Sequence, residues 1–313
     1  MRLALVGGRG YTGAELLGLL ARHPVLELAL ASSGSQAGTP LRDACPAWPG
    51  DETFTGLAPE AVGDHTADAW VLAVPNGAAA AWAEAIGAAH PRAVILDLSA
   101  DHRFDSAWTY GLPERFRGAL AGARRIANPG CYATGAQLAL LPLADRLAGT
   151  PRVFGVSGYS GAGKTPSPNN DPKRLHDNLL PYTLAGHVHE REVSHQLDRD
   201  VCFMPHVAAF FRGISLTLSL RLAEPVTAAA LRERFEDVYG DEPRVGVSEA
   251  IPEVRTVRGT PDCHLGGFTV DGRDPRRVTL VATLDNLLKG AASQALQNLN
   301  LALGLDESMG LEQ

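Results

Sequence analysis

The first half of the chain alternates between short apolar runs and stretches with helical spacing. Leu3–Val6 is a continuous apolar run, glycines follow, Ala14–Ala21 places its apolar residues at helical intervals, and Leu26–Ala31 is a second apolar run. This reads as strand, helix, strand. Further runs at Ala69–Val74 and Val94–Leu98, separated by the alanine-rich stretch Ala78–Ala89, continue the alternation. Strands that are apolar at successive positions, rather than at every second one, are covered on both faces. The pattern therefore predicts a Rossmann-like α/β domain, a doubly wound parallel sheet with helices on its two sides.

From Val153 onward the texture changes. Val153–Ser157, Val201–Met204, Gly213–Leu222 and Val278–Ala282 are strand-like, and helical spacing is confined to stretches such as His189–Leu197 and Ala228–Val238. This predicts an α+β domain with a largely antiparallel sheet. Thr165–Pro181, which contains Pro166, Pro168, Pro172 and Pro181, reads as a long irregular loop of functional character. The tail Asn286–Leu303 reads as a helix that packs back on the first domain. At 313 residues the chain exceeds the ~250–300 at which single cores stop growing. The expected division is a first domain over 1–148, completed by 286–313, and a catalytic and oligomerisation domain over 149–285.

Composition narrows the partners. Apolar residues make up 45% and charged residues 20%, the balance of a globular chain. The net charge is −7 and the basic residues are scattered, so neither nucleic acid nor an acidic membrane is an expected partner. No stretch approaches ~18 consecutive apolar residues, and the N-terminal segment lacks the apolar core of a secretion signal. A cytoplasmic protein is expected. The four cysteines, Cys45, Cys131, Cys202 and Cys263, lie far apart, which predicts free thiols and no metal site.

Three segments carry candidate chemistry. Gly8-Arg9-Gly10-Tyr11-Thr12-Gly13 follows a strand and opens a helix, the context in which glycines admit a dinucleotide pyrophosphate to main-chain amides. The second strand ends in Ser32-Ser33-Gly34-Ser35, with no acid about 20 residues on to bind a ribose 2′-hydroxyl, which favours NADP over NAD. Gly158-Tyr159-Ser160-Gly161-Ala162-Gly163-Lys164-Thr165 spells a nucleotide phosphate loop, but Pro166 and Pro168 forbid the helix that such a loop requires. Its glycines are read instead as a close backbone approach to a ligand. Asn128-Pro129-Gly130-Cys131 leads into the helical spacing of Gly135–Leu147, so Cys131 stands at a helix N-terminus, where unpaired amides stabilise a thiolate. A thiolate nucleophile needs a proton relay, and His187 and His189 offer two imidazoles at the start of another helical stretch. Either could be the acid/base.

Taken together these segments resemble the N-acetyl-γ-glutamyl-phosphate reductase family, within the wider aspartate-semialdehyde dehydrogenase group. The resemblance spans nearly the whole chain through GGRGYTGAELL (7–17), LDLSADHRF (96–104), YGLPE (110–114), ANPGCYATG (127–135), SGYSGAGK (157–164), GHVHERE (186–192), MPHVAAFFRGI (204–214) and DNLLKGAASQALQNLNLALG (285–304). It implies that Cys131 attacks an acyl phosphate, expels phosphate and forms a thioester, which hydride from NADPH reduces toward an aldehyde in arginine biosynthesis. It implies cofactor contacts from Gly7, Gly8, Arg9, Gly10, Tyr11, Thr12, Gly13, Ser32, Ser33, Pro75, Ser157, Gly158 and Gly161, and from Asn286 and Lys289 at the start of the last helix. Substrate contacts are implied for Arg103, Tyr110, Asn128, Glu190 and Arg212. Two positions depart from the family pattern, with Gly34 where an arginine is frequent and Asn76 where a histidine is frequent. The alternatives are the related lysine-pathway reductase, whose substrate is attached to a carrier protein, and a non-catalytic NADP sensor. An antiparallel sheet in the second domain suits a symmetric interface, so a homodimer or homotetramer is expected.

Overall fold

A computed structural model of the chain describes Met1–Glu312; Gln313 lies outside the described residues. In the first unit the apolar runs become β1 (Arg2–Val6), β2 (Glu27–Ser32), β3 (Ala69–Leu72) and β4 (Val94–Asp97), joined by α1 (Tyr11–Leu20) and α2 (Ala79–Ala89). β5 (Thr109–Tyr110), α3 (Pro113–Leu120) and β6 (Arg125–Ala127) complete it. All six strands are parallel, in the order β2-β1-β3-β4-β6-β5. β3 and β4 are buried at every position, as strands covered on both faces must be. Trp70, Leu72 and Ile95 pack with Val62 and Ile86 in one core cluster. The strand order reverses between β1 and β3, which places a ligand crevice at the carboxyl ends of those strands.

The second unit comprises α4 (Cys131–Leu140), β7 (Arg152–Gly158), α5 (Pro172–Leu175), β8 (Leu179–Pro181), α6 (Val188–Leu197), β9 (Cys202–Ala208), β10 (Ile214–Arg221), α7 (Ala228–Tyr239), β11 (Val245–Val247), α8 (Val254–Val257), β12 (Cys263–Asp271) and β13 (Asp274–Leu284). Its sheet runs β11-β12-β13-β10-β7-β9-β8. Pairing is antiparallel except for β7 with β9 and β11 with β12. α4 lies against β10 and β13. Gly135 permits that approach, because a Cβ there would sit 2.8 Å from side-chain atoms of both Leu216 and Leu284. This packing makes α4 part of the second unit. The units therefore divide between Gly130 and Cys131, and again between Gly290 and Ala291, rather than at 148/149 and 285/286.

After Gly290 the chain returns to the first unit as α9 (Ala292–Ala302), which packs on α1, α3 and β4. The helix begins later than its apolar spacing predicts, since residues 286–291 form turns. Asp285 organises them by accepting from the Leu287 amide at 2.9 Å through its side chain. α9 buries several amides, two of which reach the segment that follows it: Gln297 donates to Glu307 at 2.8 Å and Asn300 to the Met309 carbonyl at 2.9 Å.

Prolines account for two further departures. α4 stops at Leu140, not Leu147, because Pro142 has no amide to continue the ladder, and a short 3₁₀ turn over Leu141–Leu143 follows. The Leu138 carbonyl that Pro142 leaves without a helical donor accepts from the Tyr239 hydroxyl at 2.7 Å. Thr165–Pro181 is not wholly irregular. Pro172 takes the first position of α5, where a missing amide is harmless, and the Asp171 carboxylate caps that turn through the Lys173 amide. Pro181 ends β8 at the edge of the sheet, where a strand tolerates proline. Among the described residues no three His, Cys, Asp or Glu side chains gather as a metal set, and no helix is long and apolar enough to cross a membrane.

Tyr239→Phe keeps the ring and leaves the Leu138 carbonyl buried without its donor. Denaturant unfolding of this variant should show a loss of about 1–3 kcal/mol with an unchanged m-value.

Candidate active site

The glycine-rich turn is shaped by what a side chain would strike. Gly7 has φ +83°, and a Cβ there would lie 2.4 Å from the Ala73 carbonyl oxygen; at Gly13 it would lie 2.4 Å from the Gly8 oxygen. Gly10, by contrast, faces open space. The Gly7 and Gly8 amides both donate to the Ser32 carbonyl, at 3.1 and 2.9 Å, so the end of β2 holds the turn. α1 begins at Tyr11 with no side-chain cap and no acid in its first turn. A main chain this close, opening on an uncapped helix start, fits a dinucleotide pyrophosphate. Arg9 is exposed and Thr12 half-buried beside it, and Pro75 is exposed in the loop after β3. At the end of β2, Ser32 and Ser33 are buried, and Ser33 Oγ accepts from the Gln36 amide at 3.2 Å. No carboxylate occupies that strand end, so an added ribose phosphate meets no like charge there.

In the second unit Cys131 is the first residue of α4 and is half-buried, while Cys45 and Cys263 are buried and Cys202 is exposed. The neighbouring Tyr132 starts a cluster of rings. Its ring meets His189 edge-on at 5.8 Å and Phe203 at 4.8 Å; His187 lies 4.9 Å from His189 and 5.5 Å from Tyr182. Burial pushes the Tyr132 and Tyr182 phenols up, so both stay protonated. His187 caps α6, its Nδ1 accepting from the His189 amide at 3.1 Å. That bond puts the proton of the neutral ring on Nε2. Burial pulls its pKa below the ordinary value of 6.5, against an opposing pull from Glu190. Gly290 completes the surroundings of the thiol: a Cβ there would stand 2.6 Å from Cys131 Cβ and 2.8 Å from the Asn286 carbonyl oxygen.

Several residues expected at the ligand hold the protein itself. Arg212 grips Asp285 through two bonds of 2.6 and 3.1 Å, and Asp285 also takes the Gly259 amide at 2.7 Å. Glu190 accepts from the Gly186 and Phe203 amides, at 2.7 and 2.9 Å. Asn286 lies in the turns before α9, where it accepts from the Gly213 amide at 2.7 Å and donates to Ser160 Oγ at 2.9 Å. Lys289 is fully buried in the same turns. In the first unit Arg103 donates to the Leu98 and Asn128 carbonyls at 3.0 and 2.9 Å, and Tyr110 is buried edge-on to Phe116. After β7 the chain makes a 3₁₀ turn over Tyr159–Ala162, and no helix follows, so the phosphate-loop spelling carries no such loop. Gly158 is needed because a Cβ would lie 2.5 Å from the Phe211 oxygen, Ser157 Oγ donates to the Gly158 carbonyl at 2.9 Å, and Gly161 faces Ser157.

Sequence reasoning overlooked Tyr132, Tyr182 and Phe203 around the histidines, and Gly290 at the thiol. For Tyr182 the only sequence signal is an aromatic five residues ahead of His187, directly after the proline-rich stretch.

Residues 2–123 match the semialdehyde dehydrogenase NAD binding domain, and residues 131–286 match the semialdehyde dehydrogenase dimerisation domain. The parallel sheet and the mixed sheet thus fall in two units of the semialdehyde dehydrogenase class. Among solved structures, a probable aspartate-semialdehyde dehydrogenase from Pseudomonas aeruginosa shares the fold, with TM-score 0.76, 21% identity and 97% of this chain and 98% of that one covered. An aspartate semialdehyde dehydrogenase with NADP from Candida albicans shares it at TM-score 0.73 and 14% identity, over 97% of this chain and 99% of that one. The N-acetyl-gamma-glutamyl-phosphate reductase of Xanthomonas axonopodis pv. citri (strain 306) is 52% identical, covering 99% of this chain and 98% of its own. That of Stenotrophomonas maltophilia (strain R551-3) is 54% identical, covering 97% and 96%. The chain belongs to the N-acetyl-gamma-glutamyl-phosphate reductase family.

Gly290→Ala tests how closely the thiol is walled. Both clashing atoms belong to rigid parts, so the 286–290 turns must shift. Alkylation of Cys131 by iodoacetamide should change in rate at least fivefold relative to the parent protein.

Proposed function

We propose that this chain is an NADPH-dependent reductase that converts N-acetyl-γ-glutamyl phosphate to N-acetylglutamate semialdehyde and phosphate, in the cytoplasm. The observation that carries the reading is a half-buried thiol at the first residue of α4, in the same unit as a histidine pair of which His187 has its tautomer set by a helix cap. Cys131 as thiolate attacks the acyl carbon. A C–S bond forms, the bond from the acyl carbon to the phosphate oxygen breaks, and phosphate leaves. The dinucleotide, when bound, supplies the hydride that takes the thioester to a thiohemiacetal. Its C–S bond then breaks, which returns the thiolate and releases the aldehyde.

The two histidines divide the proton work. His187 Nδ1 is engaged by the His189 amide, so the neutral ring presents an N–H from Nε2 and suits donation to the reacting oxygen. His189 would accept the thiol proton. Gly7, Gly8, Gly10, Gly13 and the first turn of α1 would hold the pyrophosphate, and Ser32 and Ser33 would lie nearest the 2′-phosphate. Arg103 and Arg212 act on substrate through the loops they hold. Self-association as a homodimer or homotetramer would use the second unit's sheet, where Phe154 of β7 is 37% exposed.

Incubating the protein with N-acetylglutamate semialdehyde, phosphate and NADP should generate NADPH absorbance at 340 nm. No turnover with this free substrate would sink the assignment in favour of the carrier-linked rival. Cys131→Ser should lose turnover by at least about 10³-fold and keep dinucleotide binding, whereas a sensor would be indifferent to it.

The working form of His187 is the neutral one, and its pKa is depressed. The neutral donor is thus fully present above 6.5 and is lost as pH falls through a value below that. kcat should be level from about pH 8 to 6.5 and decline in more acid buffer, and His187→Asn should show a lower plateau without that acid limb.

A further inference from the structure

The residue three before the nucleophile is held from every side by the first unit. The Asn128 amide donates to the Asp97 carbonyl at 2.8 Å, its carbonyl accepts from Arg103 Nε at 2.9 Å, and its side-chain Oδ1 accepts from Asn298 Nδ2 at 3.0 Å. The same Nδ2 of Asn298 donates to the Gly111 carbonyl at 2.8 Å. Asn298 is completely buried on α9, and Asn128 is 1% exposed.

The polarity of this chain of amides has a single starting point. A main-chain carbonyl can only accept, and Gly111 is fixed by its own amide, which donates to the Ala127 carbonyl at 2.9 Å. Gly111 must also be glycine, since a Cβ would lie 2.4 Å from Asn298 Nδ2. The Asn298 carboxamide must therefore turn its NH₂ toward Gly111. Asn128 must then turn its oxygen toward that NH₂, because the flipped arrangement would set two donors face to face. The NH₂ of Asn128 is left on the opposite side. One of its hydrogens makes a long contact of 3.3 Å to the Pro129 carbonyl, and the other has no acceptor among the described residues.

We propose that Asn298 is a positioning residue for acyl transfer, setting the polarity of the Asn128 carboxamide so that its N–H, not its oxygen, is presented to substrate. The inference rests on the acyl-phosphate reading above. An acyl phosphate offers only acceptor oxygens along its reacting end, so a donor there binds the developing negative charge and an acceptor repels it. The sequence concealed this, because a polar residue on an otherwise buried helix reads as core until its partner is known.

A double-mutant cycle tests the claim. Asn298→Leu should lower kcat about 10–100-fold, with KM for NADP and the iodoacetamide rate of Cys131 unchanged. Asn128→Ala should lower it at least as much, and adding Asn298→Leu to Asn128→Ala should cost less than a further twofold. Asn298→Ser, whose hydroxyl can reach one carbonyl but cannot bridge both oxygens, is read the same way if the leucine variant does not fold. The proposal is overturned if either Asn298 variant keeps kcat within twofold of the parent. It is equally overturned if the losses multiply in the double variant, since a general weakening of α9 would act with or without Asn128. Absence of turnover in the parent protein defeats the acyl-phosphate reading itself, whereas a working parent with multiplying losses defeats only the role of Asn298.

Discussion

The passage from the last strand of the parallel sheet into the helix that bears the thiol takes three residues, and the hydrogen bonds on Asn128 make that passage definite. A Pro-Gly turn by itself is a flexible hinge with few donors. Here its leading residue is tied through amide, carbonyl and side chain to Asp97, Arg103 and Asn298, one from the end of β4, one from the loop beyond it and one from α9. The start of α4 is correspondingly defined at Cys131. A helix start shifted by one residue would place a different side chain at the first position of α4.

The second unit shows the same economy at His187. His187 is at once a helix cap and a ring of the site, and the cap decides which nitrogen carries the proton. Its protonation would remove the cap and charge a buried group together, so structure and chemistry favour the same neutral form. The residues that hold charge nearby are similarly committed. Glu190 satisfies two amides, and Arg212 with Asp285 ties together the loop before β10, the segment after α8 and the turns that precede α9. Charged side chains that resemble ligands in the sequence thus serve as the frame in which smaller groups are placed.

Much of the architecture was legible beforehand. Continuous apolar runs separated by helical spacing announce a parallel sheet wherever they occur, because covering both faces leaves no polar alternative. The glycine turn was legible because its spacing expresses a steric demand, now visible in the clashes that Gly7 and Gly13 avoid. Cys131 was legible because Pro-Gly before a helical period marks a helix start. Less legible were the ends of elements. The apolar spacing continues past Pro142 and begins before Ala292, but a missing amide stops one helix and the bonds of Asp285 and Asn286 delay the other. Spacing reports which face of a segment is apolar, not whether its main-chain donors are present or already taken.

The sequence by itself determined the two sheet types, the glycine cradle, the absence of an acid at the end of β2 and the cysteine at a helix start, since each is a property of a few neighbouring residues. Only the tertiary structure decided where the units divide, which ring nitrogen of His187 holds the proton, and what Arg103, Glu190, Arg212 and Asn298 touch. Those outcomes depend on hydrogen bonds between residues as much as 187 positions apart in the chain, as between Asn298 and Gly111. A polar side chain has several possible partners of equal chemistry, and only packing selects the one within reach.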